Sequence, residues 1–227
     1  MMNGNQLAAY IDHTLLKADA TEQEIVQLCT EAKQYRFATV CIQPCWVKLA
    51  AEQLQADSEV GITTVIGFPL GANATSIKAL EAQQAVADGA TEIDMVLNVG
   101  YLKSRFLGAV KSDIAAVVDA TGNEAIVKVI LETSLLTNEE IAIACQLAIE
   151  AGAQYVKTST GFSTGGATTE HIALMRHTVG EHAGVKASGG IRDYETAIAM
   201  IEAGATRIGA SAGIAIVNKA EATASDY

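Results

Sequence analysis

Three lysines lie within apolar, β-branched runs of the sequence, where charged side chains are uncommon because a desolvated charge is costly. Lys128 is followed by further apolar residues, so we expect it lower in a strand. Lys157 directly precedes Thr158–Gly161, and Lys186 directly precedes Ala187–Gly190. Because both of these stretches consist of small, turn-forming residues, we expect Lys157 and Lys186 at strand ends.

The spacing of Lys157 and Lys186 suggests a chemistry. They are 29 residues apart, the length of one βα unit, which predicts neighbouring strands about 4.8 Å apart. Two ammonium groups this close repel each other, so one loses its proton more readily. A neutral lysine amine is the nucleophile for Schiff-base chemistry on a carbonyl. The alternative is that both lysines are only paired with acidic groups such as Asp94 or Glu132.

Asp94 is the carboxylate best placed to serve this chemistry. It alternates with Ile93 and Met95 in an apolar run, so it faces the opposite side of the strand from them. If Ile93 and Met95 face the helices, Asp94 faces the interior and could move protons through a water molecule. It could equally be a buried counter-ion for a lysine, and the two roles are compatible.

The turns after the last two predicted strands are candidates for binding phosphate. They are Ser188–Gly190 and Gly209–Ser211, and each precedes a predicted helix. Glycine amides at the start of a helix bind phosphate well, and Arg192 could add a positive charge. The alternative is that both are simply tight turns. Neither a GxxxxGK[ST] loop nor a GxGxxG motif is present in the sequence.

The four histidines do not predict a metal site. His13 stands alone, and His171, His177 and His182 are six and five residues apart. That spacing does not bring ligands onto one helix face at i and i+4. We therefore expect no metal, and we expect the four histidines at the surface.

The elements that position these residues follow an alternating pattern of strands and helices. Amphipathic stretches such as Thr21–Tyr35 and Asn138–Glu150 separate eight apolar runs. The eight predicted strands are 9–13, 37–42, 62–66, 91–97, 126–131, 154–158, 184–187 and 206–210. This pattern predicts a TIM (β/α)8 barrel in one domain, residues 1–217, followed by a flexible tail, residues 218–227. A five-stranded open sheet is the alternative.

A weak internal repeat supports the barrel. Gly89, Gly152 and Gly204 each close a helical stretch, where a left-handed C-cap favours glycine. Five residues further along the chain lie Asp94, Lys157 and Gly209. If the repeats are equivalent, these three residues lie at one height in the barrel, toward the ends of the strands that carry the chemistry in such folds.

The composition excludes several classes of protein. The 227 residues carry 15 Lys and Arg against 26 Asp and Glu, a formal net charge of −11. Such a chain is not expected to bind nucleic acid or an anionic membrane non-specifically. No apolar run approaches the roughly 18 residues that span a bilayer. A polar start without basic residues and four cysteines without C-x-x-C spacing predict a cytoplasmic protein with free thiols.

Six stretches, in order along nearly the whole chain, resemble the deoxyribose-phosphate aldolases, a family of class I aldolases on TIM barrels. They are Ile11–Lys17, Val65–Gly71, Glu92–Gly100, Leu131–Thr133, Tyr155–Phe162 and Val185–Arg192. The resemblance implies reversible cleavage of 2-deoxy-D-ribose 5-phosphate to acetaldehyde and D-glyceraldehyde 3-phosphate, without metal or other cofactor.

The resemblance also implies roles for single residues. Lys157 is implied to form the Schiff base, Lys186 to perturb it and share proton transfer, and Asp94 to act as acid and base. Tyr227, the last residue, is implied to reach the site on a flexible tail. The implied phosphate-binding residues are Thr160, Gly161, Gly189, Gly190, Arg192, Gly209 and Ser211.

Two positions depart from the family pattern. Some members have lysine where this chain has Phe162, so phosphate binding here depends on backbone amides and Arg192. Gln43 stands where many members have asparagine before a proline. The expected partners are small phosphosugars and aldehydes, in a homodimer or homotetramer. Two other functions stay open: another phosphate-binding barrel enzyme, such as a metal-dependent aldolase or sugar-phosphate isomerase, and a barrel that binds a phosphorylated ligand without catalysis.

Overall fold

Eight parallel strands form one closed barrel in the computed structural model, which describes Met2, residues 4–55 and residues 59–219. The strands are β1 (Ile11–Leu15), β2 (Thr39–Ile42), β3 (Gly61–Ile66), β4 (Glu92–Val96), β5 (Ile126–Ile130), β6 (Tyr155–Lys157), β7 (Gly184–Ser188) and β8 (Arg207–Ala210). Each strand pairs with its neighbours in chain order, and β1 closes the ring against β8. The predicted barrel is confirmed, and the open sheet is excluded.

Helices follow the strands and surround the barrel. They are α1 (Gly4–Ala8), α2 (Glu22–Tyr35), α3 (Val47–Leu54), α4 (Thr75–Ala87), α5 (Val99–Lys103), α6 (Leu107–Ala120), α7 (Asn138–Glu150), α8 (Thr169–Val179), α9 (Tyr194–Glu202) and α10 (Gly213–Asn218). Short 3₁₀ helices span Pro44–Trp46 and Thr133–Leu135. Within the described ranges, no helix is long and apolar enough to cross a membrane.

The predicted repeat has a structural basis in three identical helix ends. Gly89, Gly152 and Gly204 have φ values of +109°, +90° and +117°. After each glycine, the next amide donates to the carbonyl five residues earlier, as in Ala90 to Ala85 at 2.9 Å. This is the Schellman arrangement, which ends a helix at a defined residue. The strands that follow therefore start in equivalent positions.

The first strand begins later than the sequence predicts. The backbone amide of Tyr10 donates to the carbonyl of Leu7 at 2.9 Å, so this residue continues the turn that ends α1. The prediction of a strand from residue 9 did not allow for this N-terminal helix. At the other end of the chain, Lys219 lies over the ring of Tyr194. The predicted tail lies outside the described residues from 220 onward, and this includes Tyr227.

The apolar core lies between the barrel and the helices. Ile93, Met95, Val127 and Val129 on β4 and β5 belong to it. Because successive side chains on a strand face opposite sides, the residues that alternate with these four point toward the barrel axis. Asp94 is one of them.

The prediction that all four histidines lie at the surface is wrong for His13. This residue is only 4% exposed, and its Nε2 lies 2.8 Å from Oε2 of Glu31 on α2. Its ring also packs against Phe37. Since Asp12 faces the barrel interior, the next residue faces the helices, where the glutamate and the aromatic ring provide partners for an imidazole.

Candidate active site

Asp94 is the centre of a group of lysines inside the barrel. Its Oδ2 lies 2.8 Å from Nζ of Lys157 and 2.8 Å from Nζ of Lys186. Its Oδ1 lies 2.7 Å from Nζ of Lys128. Lys157 and Lys186 are register partners on β6 and β7, as their spacing predicts. All four side chains are buried.

A second set of charges lies beside this group. Asp12 on β1 forms an ion pair with Lys186 and lies 2.7 Å from Nη1 of Arg207 on β8. Glu92 on β4 lies 2.6 Å from Nζ of Lys128 and 2.9 Å from Arg207. We refer to the seven residues together as the barrel cluster: Asp12, Glu92, Asp94, Lys128, Lys157, Lys186 and Arg207.

The barrel cluster has more basic groups than acidic ones. Its three carboxylates face three lysines and one arginine, so full ionisation leaves one positive charge in excess. An uncompensated charge away from water is costly, and a buried group commonly avoids this cost by changing its protonation. The cluster is balanced when one lysine is neutral.

The directions of the pKa shifts indicate which lysine loses its proton most readily. Burial lowers the pKa of Lys157, and the charge of Lys186 lowers it further, while Asp94 opposes both; the net pKa is below the ordinary value. Burial also disfavours the charged form of Lys186, but Asp12 and Asp94 outweigh it and raise its pKa. The pKa of Lys128 is raised as well, against burial, by Asp94. Lys157 is therefore the amine that deprotonates most readily.

Asp94 stays ionised under the same influences. Burial alone would raise its pKa, but the charges of Lys128, Lys157 and Lys186 hold it well below the ordinary value. The carboxylate accepts hydrogen bonds from the Nζ atoms of all three lysines, and its own charge makes each of them a charge-assisted bond.

Lys157 is the one member of the barrel cluster that lines a cavity at the C-terminal ends of the strands. This cavity has a volume of about 260 Å³. Leu16, Lys17 and Phe162 also line it. So do all the residues that the resemblance assigns to phosphate: Thr160, Gly161, Gly189, Gly190, Arg192, Gly209 and Ser211.

Glycine at position 209 leaves room for the close approach of Lys186. A Cβ atom there would lie 3.0 Å from Cε of Lys186 and 3.1 Å from Cβ of Ser188. Gly189 and Gly190 have φ values of +86° and +81°, in the left-handed region that favours glycine. These turns thus carry glycine for two reasons, space for a lysine and backbone conformation.

Two further positions that the sequence analysis singled out have defined partners. Glu132, considered as a partner for the lysines, instead accepts hydrogen bonds from the amide and the hydroxyl of Thr160. Gln43 donates from Nε2 to the carbonyl of Leu16 at 2.9 Å and so supports the loop after β1.

Sequence reasoning missed four members of the barrel cluster as site residues. They are Asp12, Glu92, Lys128 and Arg207. Lys128 was expected lower in the barrel than Lys157. On β5 it is Ile130, two residues further along, that is the register partner of Lys157. The long side chain of Lys128 nevertheless reaches the carboxylate of Asp94. Asp12 and Glu92 lie within two of the six motif stretches. The signal that could have identified them is a carboxylate inside a strand.

The cysteines and other donor groups form no further centre in the described part of the chain. Cys29, Cys41, Cys45 and Cys145 are free thiols. Cys41 lies near Lys157 and Lys186, and burial raises its pKa. Among the described residues, no three or more His, Cys, Asp or Glu side chains are grouped so that they could hold a metal ion.

Comparison with known proteins places this chain in a family. The model of the DeoC/LacD family aldolases matches residues 6–219. The chain belongs to the DeoC/LacD aldolase family. A relative from Brevibacillus brevis, named deoxyribose-phosphate aldolase, is 62% identical over 226 residues, which is 100% of both chains. A relative of the same name from Shouchella clausii is 64% identical over 94% of this chain and 96% of its own length.

Solved structures of family members share the fold. A putative deoxyribose-phosphate aldolase from Coccidioides immitis superposes with a TM-score of 0.93 at 48% identity, over 96% of this chain and 86% of the other. A deoxyribose phosphate aldolase from Aeropyrum pernix, described as a tetramer, gives 0.87 at 35% identity, over 95% and 91%. The family resemblance inferred from the six stretches is thereby confirmed.

Proposed function

We propose that this chain is a class I aldolase that reversibly cleaves 2-deoxy-D-ribose 5-phosphate to acetaldehyde and D-glyceraldehyde 3-phosphate. One observation carries the proposal: the lysine with the lowered pKa, Lys157, lines a cavity whose rim is built from glycine turns. The names of the relatives support the choice of substrate. A metal-dependent aldolase has no corresponding use for such a lysine.

The reaction begins at Lys157. Its neutral amine attacks the C1 aldehyde of the open-chain sugar, and the carbinolamine takes up one proton from solvent and loses water to give a protonated imine. Lys186 keeps its charge beside Asp94 and Asp12, so it favours the neutral form of Lys157 before the attack. The imine nitrogen is then ready to accept an electron pair.

Bond cleavage follows from the position of Asp94. Asp94, acting through a water molecule and with Lys186, takes the proton of the C3 hydroxyl group. The C2–C3 bond breaks, its electron pair forms an enamine with the imine, and D-glyceraldehyde 3-phosphate leaves. The enamine is protonated at C2, and water hydrolyses the resulting imine to acetaldehyde and free Lys157. The water lost in the first step is thus regained.

The phosphate group is bound by backbone amides and one guanidinium. Gly161, Gly189, Gly190 and Gly209 offer the amides, and Arg192 and Ser211 lie at the same cavity wall. Phe162 adds an apolar side chain to this wall, at the position where some family members have a lysine. The enzyme works in the cytoplasm without metal or other cofactor, on small phosphosugars and aldehydes, as a homodimer or homotetramer.

Trapping of the Schiff base tests the proposal. Incubation with acetaldehyde and borohydride should add one ethyl group, found by peptide mapping on Lys157. Lys157→Ala should remove the label, whereas a matched change at an exposed lysine, Lys103→Ala, should leave it. A label on another lysine, or none, would rule out this assignment. Loss of turnover in a chelator would favour a metal-dependent aldolase instead.

A further inference from the structure

Glu132 is a buried carboxylate that the reaction above does not use. It follows β5 and is 4% exposed. Its φ and ψ are +58° and +61°, the left-handed region, which is unfavourable for a residue with a side chain. Strain of this kind persists only where the surroundings hold it, and it is concentrated at functional sites.

The backbone around Glu132 shows what holds it. The amide of Leu131 donates to the carbonyl of Lys157 at 2.9 Å, and the amide of Thr133 donates to the carbonyl of Thr158 at 2.9 Å. Between these two hydrogen bonds the first segment advances by two residues, from Leu131 to Thr133. The second segment advances by only one, from Lys157 to Thr158, as in a β-bulge. The extra residue is Glu132, and the left-handed turn directs its side chain toward the segment after Lys157.

The carboxylate then fixes the start of the phosphate wall. Oε2 of Glu132 accepts a hydrogen bond from the amide of Thr160, at 3.3 Å, and a second from its hydroxyl. The hydroxyl oxygen in turn accepts from the amide of Phe162 at 3.0 Å. Both donors of Thr160 are therefore taken by protein groups, and the chain is held on either side of Gly161.

We propose that Glu132 is a positioning residue, which acts through Thr160 to hold residues 158–162 in the shape that binds the substrate phosphate. The inference rests on the proposed function. It assigns Thr160 an indirect part, since its amide and hydroxyl support the turn and the Gly161 backbone, with φ of +85°, faces the ligand. Held amides bind an anion more tightly because less order is lost on binding.

The test separates phosphate binding from chemistry at Lys157. Glu132→Gln keeps an acceptor but removes the charge, so we expect KM for 2-deoxyribose 5-phosphate to rise about 10-fold, with kcat changed less than about twofold. Trapping of acetaldehyde on Lys157 by borohydride, which involves no phosphate, should proceed at the wild-type rate. An equal loss in both readouts would show that Glu132 is merely structural, and no change in KM would also overturn the proposal.

The chain contains a matched control for this substitution. Glu24 makes the same pair of contacts, accepting from the amide and hydroxyl of Thr21 at 2.7 and 2.8 Å, but at the exposed start of α2. Glu24→Gln should leave KM unchanged.

Thr160→Val tests the contact from the other side if Glu132→Gln does not fold. It should raise KM without slowing trapping, and the double variant should be no worse than the stronger single one. Additive losses would contradict the coupling. Absence of cleavage by the wild-type enzyme would refute the proposed function, whereas an active enzyme in which Glu132→Gln behaves like Glu24→Gln refutes only this inference.

Discussion

Two groups of buried charges in this protein differ in their balance. Between α4 and α6, Lys78 lies 2.6 Å from Asp113, and both side chains are almost completely buried. Thr75 donates to the same carboxylate, and Lys78 donates to the carbonyl of Val96. One cation meets one anion, and the surrounding polar atoms complete the hydrogen bonds.

The barrel cluster has four basic groups for three carboxylates. Six of its seven members are buried like the helix pair, and the side chain of Arg207 is 13% exposed. The cluster reaches charge neutrality only when one lysine gives up its proton. The member with the lowered pKa is Lys157, which is also the one beside the cavity. A balanced buried pair therefore joins elements, whereas in the unbalanced cluster one amine, that of Lys157, loses its proton more readily. The following experiments test this difference, from the largest expected effect to the smallest.

Removal of the Lys157 side chain, the surplus basic group, should abolish activity and leave the fold intact. Lys157→Ala should lower the rate of aldol cleavage by at least roughly 10⁴-fold, because the proposed Schiff base needs this amine and Lys157 is the one lysine of the barrel cluster that lines the cavity. The remaining three cations and three carboxylates are balanced, so we expect an unchanged or higher melting temperature. A large fall in melting temperature, measured by calorimetry, would show that Lys157 is charged in the folded protein.

Removal of the cation from the balanced pair should have the opposite outcome. Lys78→Met leaves the carboxylate of Asp113 buried without its cation, and we expect a loss of about 3–5 kcal/mol in urea unfolding. The double variant Lys78→Met/Asp113→Leu should recover most of that stability. Trapping of acetaldehyde on Lys157 should continue in the folded fraction. A loss below about 1 kcal/mol would mean that the pair does not join the helices as described.

A charge change inside the barrel cluster should move the titration of Lys157. Trapping accelerates with pH because only the neutral amine attacks acetaldehyde. Lys186→Met removes the neighbouring positive charge and leaves the cluster balanced with Lys157 protonated, so the pKa of Lys157 rises. We expect the half-maximal trapping rate to move up by about one pH unit. The exposed control Lys103→Met should leave the profile in place; a shift to lower pH would be the wrong sign.

A surface ion pair should matter least. Lys111 and Glu150 are 2.9 Å apart, with side chains 44% and 57% exposed. Water screens such a pair, so Lys111→Gln should change the free energy of unfolding by less than about 1 kcal/mol. Urea unfolding beside the Lys78→Met variant checks this; similar losses in both would mean that burial does not distinguish the two pairs.

The fold was largely predictable because its signals are local. Capping residues, glycine at helix ends and apolar runs repeat along the chain, and α7 begins and ends where its pattern predicts, at Asn138 and Glu150. The N-terminal helix and the burial of His13 were not predictable in the same way. Each depends on contacts with residues far along the chain, such as Glu31 for His13.

The site was predictable in part for the same reason. Lys157, Lys186 and Asp94 could be found because each has a local signal, a charge inside an apolar strand. Asp12 and Arg207 could not be placed, since barrel closure brings β1 and β8 together from opposite ends of the sequence. The balance of four cations and three carboxylates therefore emerged only from the three-dimensional arrangement.

Direct titration of Lys157 tests the central claim. NMR of the enzyme with lysine labelled at Cε, with the Lys157 signal identified by its loss in Lys157→Ala, gives the pKa of each lysine. We predict that Lys157 titrates below the roughly 10.4 of an ordinary lysine, while Lys128 and Lys186 stay charged throughout. A pKa of Lys157 at or above the ordinary value would contradict the account, because Lys157 would then not be the lysine that gives up its proton.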